Sequence, residues 1–260
     1  FSANPTVTGA GVKILTLAGT STAANELQGV IANGASNTAL TKSGTGTWRL
    51  SGVNTYSGTT TVNAGTVAIS ADSGLGTAPG AATPASLTLD GGPLQNTSAM
   101  TLTANRAIAL ASAGGTIQTD ANLTYNGIAA GSGSLTKTGT ATLSLGGANT
   151  YTGATNINQG TVQLNVSNAL SNSTAVTVAS GATLNVNNQT DTIGSLAGAG
   201  AVTLGTGTLT TGANNTSTTF TGTVTGTGIT KTGTGTMSIG GTSGSNSFAP
   251  STLTLSQGTV

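Results

Sequence analysis

Apolar and polar residues alternate along most of the chain in short runs, as in Leu87-Thr88-Leu89 and Leu143-Ser144-Leu145. A period of two marks a β-strand with one buried face. Aliphatics that this pattern turns inward fall at Leu50, Ile69, Leu89, Leu110, Ile128 and Leu145, then at Leu164, Leu184, Leu204, Val224 and Ile239. Their spacing of about 19 residues suits one turn of a β-solenoid, with two or three short strands joined by glycine-rich corners. One coil cannot bury its apolar face alone, whereas stacked coils build a continuous core. At about 4.8 Å per coil, some 13 coils predict a rod on the order of 65 Å long.

A longer period encloses the coil. Leu40-Thr41-Lys42-Ser43-Gly44-Thr45-Gly46-Thr47 returns as Leu135-Thr136-Lys137-Thr138-Gly139-Thr140-Ala141-Thr142 and as Ile229-Thr230-Lys231-Thr232-Gly233-Thr234-Gly235-Thr236. Successive lysines stand 95 and 94 residues apart, which reads as about five coils per super-repeat. Downstream, Asn54-Thr55-Tyr56-Ser57-Gly58 returns as Asn149-Thr150-Tyr151-Thr152-Gly153 and more loosely as Asn246-Ser247-Phe248. Gly65-Thr66-Val67 returns as Gly160-Thr161-Val162 and Gly258-Thr259-Val260. A few residues inserted near Gly244 in the third copy predict a loop there. The whole of 1–260 is expected to be one solenoid, a fragment of a longer chain, with super-repeat boundaries near 40, 135 and 229.

Composition narrows the class. Only 4% of residues are charged, against roughly 25% in a typical soluble domain. Disordered chains combine low hydrophobicity with high net charge. Here the hydrophobic fraction is 35% and the net charge +1, so an ordered all-β chain is expected. Clustered positive charge, which nucleic acids and anionic membranes require, is missing. No run approaches the roughly 18 apolar residues of a membrane-spanning helix. The opening Phe1-Ser2-Ala3-Asn4-Pro5 has neither the basic nor the apolar region of a leader peptide. Without Cys, neither disulfides nor zinc–thiolate sites form.

The motif L-T-K-x-G-x-G-T, followed by N-T-Y-x-G-x-T and then G-T-[apolar], resembles the passenger-associated, or autotransporter-associated, β-strand repeat of bacterial autotransporters. It stands at Leu40–Val67 and Leu135–Val162, with a weaker version at Ile229–Val260, where Phe248 replaces the tyrosine and Ala249-Pro250 the small-Gly step. The resemblance implies a right-handed parallel β-helix displayed outside the outer membrane of a Gram-negative-type bacterium by a separate C-terminal barrel. It also implies a role as stalk, adhesin or matrix component.

Candidate chemistry is sparse. The chain has no His, which excludes Ser-His-Asp and Cys-His machinery. Its carboxylates are Glu26, Asp72, Asp90, Asp120 and Asp191. Asp72 and Asp90, 18 residues apart, read as a turn residue and a corner cap rather than as the acid–base or calcium pair of a polysaccharide-active β-helix enzyme. Gly222–Gly228 lacks the Gly-Lys-Ser/Thr ending of a phosphate loop. The recurrent lysines read as one solvated charge opening each super-repeat, about 24 Å from the next. Trp48 shares its position with Leu143 and Met237, which marks it as core.

Tyr56, Tyr151 and Phe248 are the candidate surface contacts, for sugars in particular, although packing at a coil corner is the favoured reading of these aromatics. No catalytic, cofactor-binding or metal-binding residue is expected, and no cofactor. The expected function is a non-catalytic rod: an autotransporter-type stalk, adhesin shaft or fibre subunit. A glycan- or surface-binding adhesin module is the alternative, ahead of an ice-binding solenoid or an enzyme. Expected partners are neighbouring repeats or other copies at the two open ends, and glycans or host matrix along the rod.

Overall fold

The computed structural model describes residues 1–21, 23, 25–240 and 248–260, the side chains of 248–251 excepted. It is a parallel β-solenoid in which every strand pairs with the equivalent strand one coil away. A first sheet of six strands runs from Lys13–Leu17 to Ala129–Ala130, and a second of eleven runs from Asn25–Leu27 to Met237–Ile239. The third sheet joins ten strands and contains Leu123–Tyr125, Thr142–Leu145 and Thr161–Leu164. With one strand per coil, the second sheet counts eleven coils among the described residues, fewer than the sequence estimate of 13.

The core is a set of aliphatic columns. In the third sheet Leu123, Leu143, Val162, Leu184, Val202 and Val224 stand in register, one above the other. All six are buried. Burying one such side chain stabilises by roughly 1.5–3 kcal/mol, most of it offset by chain ordering. Stacking supplies the burial that no single coil has. The expected inward positions hold with two exceptions: Ile239 is only partly buried, and Ile128 points outward at 47% exposure while its neighbour Ala129 turns in.

Coil length varies. Register partners lie from 18 residues apart, as Thr183 and Ala201, to 27 apart, as Val67 and Leu94, rather than a uniform 19. The long coil holds the 3₁₀ turn Asp72–Leu75. Arg106, one coil on, is 3% exposed and fastens that turn. Its Nε and Nη2 donate to the Asp72 carboxylate at 3.0 and 3.1 Å, and Nη1 and Nη2 donate to the carbonyls of Leu75 and Gly76.

The super-repeat is not a whole number of coils. Leu40, Thr60, Leu87, Ile108 and Ala129 follow one another up the first sheet, four coils in all. Leu135 then lies on the next side round, in the second sheet. The same motif is therefore rotated by one side. In the first copy Thr38–Lys42 and Thr47–Leu50 occupy the first and second sheets. In the second copy Leu135–Thr138 and Thr142–Leu145 occupy the second and third. The Asn-Thr-Tyr loop replaces the strand on the remaining side. On the first side, loops 148–152 and 168–173 continue the ladder, Thr150 donating to Ala129 at 2.9 Å and Asn168 to Thr190 at 3.0 Å. The insertion expected near Gly244 lies outside the described residues.

Candidate functional site

The residues that recur in sequence recur as one internal corner. Lys42, Lys137 and Lys231 end inward-facing strand positions and are at most 2% exposed, so they are not solvated charges. Lys137 Nζ donates to the carbonyls of Thr138 and Gly139, both at 2.7 Å, and to Gln159 of the next coil at 3.0 Å. Lys42 Nζ donates likewise to Ser43, Gly44 and, one coil on, Ala64 at 3.0 Å. Lys231 reaches Thr232 and Gly233. An ammonium with three donors thus satisfies three carbonyls where the chain turns between sheets. Burial lowers the pKa of Lys42, and that of Lys137 to about 8 despite the opposing charge of Asp120. The carbonyl oxygens oppose that shift by favouring the charged form.

The glycine of the later Gly-Thr-Val segment belongs to the same corner. Gly65 and Gly160 have φ of 59° and 65°. A Cβ on Gly65 would lie 2.4 Å from the carbonyl oxygens of both Gly44 and Gly46. On Gly160 it would meet those of Ala141 and Gly139 at 2.5 and 2.6 Å. The lysine and the glycine of the next coil are two halves of one joint. Sequence reasoning missed the lysines as buried groups. The signal was present in the 23-residue step from Lys42 to Gly65 and from Lys137 to Gly160.

Tyr56 and Tyr151 are fully buried and offer no surface to a ligand, which rules them out as surface contacts and agrees with packing at a coil corner. Their hydroxyls pair with Thr60 Oγ1 at 2.7 Å and Thr155 Oγ1 at 2.6 Å, four residues on. A phenol can enter a core when its hydroxyl finds a partner there. Burial pushes Tyr56 up to about 12 and Tyr151 higher still. The side chain of Phe248 lies outside the described residues. Asn54 and Asn149 bridge coils beside the tyrosines. Asn54 Oδ1 accepts the Ile31 amide, and Asn149 Oδ1 that of Ala129. Each Nδ2 donates to the coil above, to Gly74 and Ala169 respectively.

Other singled-out residues do not converge. Asp72 is committed to Arg106, and Asp90 caps a corner by accepting the Ala113 amide at 3.1 Å. Trp48 is partly buried, donates to the Ala18 carbonyl and stacks on Phe1 with ring centroids 5.7 Å apart, while Leu143 and Met237 are buried. Among the described residues no three of His, Cys, Asp and Glu group together as a metal would require. Outside, a shallow apolar depression of about 610 Å³ lies on the first sheet around Pro84, Ala107, Ala109 and Ile128.

The fold is thus a parallel solenoid whose recurrent lysines and asparagines bridge one coil to the next. Comparison with known proteins finds a repeat family and one relative. Residues 40–69 and 135–164 match the passenger-associated-transport-repeat. The chain is 37% identical over 179 residues to the adhesin BmaC autotransporter of Brucella suis biovar 1 (strain 1330). That alignment covers 65% of this chain and 5% of the relative. No solved structure matches. The chain thus carries two autotransporter-associated repeats and, over 179 residues, is similar to a small part of an autotransporter adhesin.

Proposed function

We propose that this region is a non-catalytic, length-setting stretch of shaft in a surface-displayed adhesin-type protein of a Gram-negative-type bacterium. The observation that carries the reading is the inward commitment of the recurrent lysines and asparagines to joints between coils, with the recurrent tyrosines buried beside them. A motif kept for ligand contact presents side chains to solvent; this one presents carbonyl caps to its own next coil. The chain has no His and no Cys, which agrees with a structural role. Its open-ended sheets suit continuation by neighbouring repeats or abutting copies. Electron microscopy of the purified chain tests the shaft. The expected particle is a straight rod about 50 Å long at roughly 4.8 Å per coil, and a round or bent particle overturns the reading.

Adhesive contact along the rod is the second reading. It is favoured by the relative's name as an adhesin and by the outward apolar depression around Ile128. Binding of the isolated chain to a glycan array or to host matrix, lost in Ile128→Asp, supports it. Retention of adhesion by a parent protein lacking 40–134 favours the shaft.

A further inference from the structure

Asp191 is the buried group that the joints leave unexplained. It lies in the strand Thr190–Ile193, in register with Leu209 and Ile229, at a position that faces the apolar core. It is 0% exposed. Its Oδ2 accepts the Leu170 amide at 3.2 Å, while its Oδ1 has no partner.

The coil below shows what this place normally does. Asn149 accepts an amide from the coil before it and donates to the Ala169 carbonyl of the coil after it. The peptide between Ala169 and Leu170 then passes its N–H to Asp191. Asp191 is thus the next step of a side-chain-to-peptide ladder and takes over the accepting half of the asparagine role. An ionised carboxylate has no proton to supply the donating half. A bare carboxylate oxygen in such surroundings costs several kcal/mol, so the neutral acid is strongly preferred.

We propose that Asp191 is an acid-operated latch: protonated, it holds the coil of 165–174 against the strand Thr190–Ile193, and ionised, it loosens that joint. The groups facing it support the direction. From the loop below comes Tyr151, whose phenol stays neutral because burial raises it; from the strand above comes Leu209. Among the described residues no Lys or Arg acts on it to hold the negative charge. Desolvation raises its carboxyl to about 6, against opposing backbone hydrogen bonds led by Leu170. A folded-state value above the unfolded one means that the folded chain binds the proton more tightly. The stabilisation is complete below about pH 4 and is lost as pH rises through 6. The shaft therefore tightens on mild acidification.

Hydrogen exchange of the purified chain, corrected for the intrinsic rate, tests this at the Leu170 amide between pH 7.5 and pH 5. Protection is expected to rise about tenfold across that range, the ratio set by carboxyl values near 6 folded and 4 unfolded. Asp191→Asn keeps an accepting oxygen for the Leu170 amide without titrating and is expected to keep high protection at both pH values. An equal rise in wild type and Asp191→Asn, or no rise in wild type, overturns the latch. Should Asp191→Asn fail to fold, carboxyl ¹³C NMR of the wild-type chain still decides. One Asp titrating above pH 5 supports the latch, and all carboxyls titrating below pH 4.5 overturn it.

Discussion

Lys42 and Gly65 meet across two coils: a Cβ on Gly65 would stand 2.6 Å from Lys42 Nζ. The ammonium occupies the space that any other residue at 65 would fill, and the positive φ of 59° independently excludes most side chains. Gly65→Ala is expected to destabilise by about 3 kcal/mol, because backbone carbonyls as well as the ammonium block the new methyl. Gly160→Ala should behave alike. Gly80→Ala, where a Cβ meets nothing within 4 Å, is the control and should stay within about 0.5 kcal/mol. Urea midpoints of the three variants check this.

Removing the other half of the joint leaves three turn carbonyls without their donor. Lys137→Met is expected to cost about 2–3 kcal/mol, less than three charge-assisted hydrogen bonds because the buried charge goes too. Lys137→Arg should not restore stability, since a planar guanidinium does not fit a corner closed by backbone. A solvated lysine would give changes within about 0.5 kcal/mol for both variants, and thermal melts distinguish the two outcomes.

The tyrosines set the alkaline limit. Tyr56, Tyr125 and Tyr151 all have phenols raised by burial, Tyr56 to about 12 from an ordinary 10. The unfolded chain therefore loses these protons first, and stability falls as pH rises from about 10 through 12. Lys137, lowered to about 8, acts oppositely, adding stability between 8 and its ordinary 10.5. Tyrosinate absorbance should stay flat until the fold is lost and then appear for all three residues together. Gradual ionisation near pH 10 with circular dichroism unchanged would contradict their burial.

Arg106 secures the longest coil. Arg106→Met leaves the carbonyls of Leu75 and Gly76 without a donor and the Asp72 carboxylate without its cation, at a cost of about 3 kcal/mol. A solenoid is held by nearest-neighbour contacts, so the damage should stay local. Hydrogen exchange should quicken across 71–78 while the coils around 140–165 keep wild-type protection.

The strand alternation and the recurrent Lys-x-Gly, Asn-Thr-Tyr and Gly-Thr segments were legible because they are local or strictly periodic. Ile128 escaped the pattern because its neighbour Ala129 is also apolar, and nothing in the chain alone says which of the two turns inward. The lysines were misread, and the tyrosines left open to a surface role, for a related reason. Charge and a phenol hydroxyl ordinarily favour the surface, and only three converging carbonyls or a facing Thr60 reverse that preference.

The sequence by itself determined that this is a stacked all-β solenoid, since a two-residue period nested in a coil-length period buries its apolar face only by stacking, while the parallel pairing was implied by the family resemblance. It also determined which residues recur. The tertiary structure alone decided that the 95-residue unit ends one side further round the coil, so that Leu40 and Leu135 occupy different sheets. It likewise decided that the recurrent lysines, asparagines and tyrosines face inward. The physical reason is that a coil's phase and the satisfaction of its buried carbonyls depend on the coil above it, about twenty residues away. Local pattern carries no record of that neighbour.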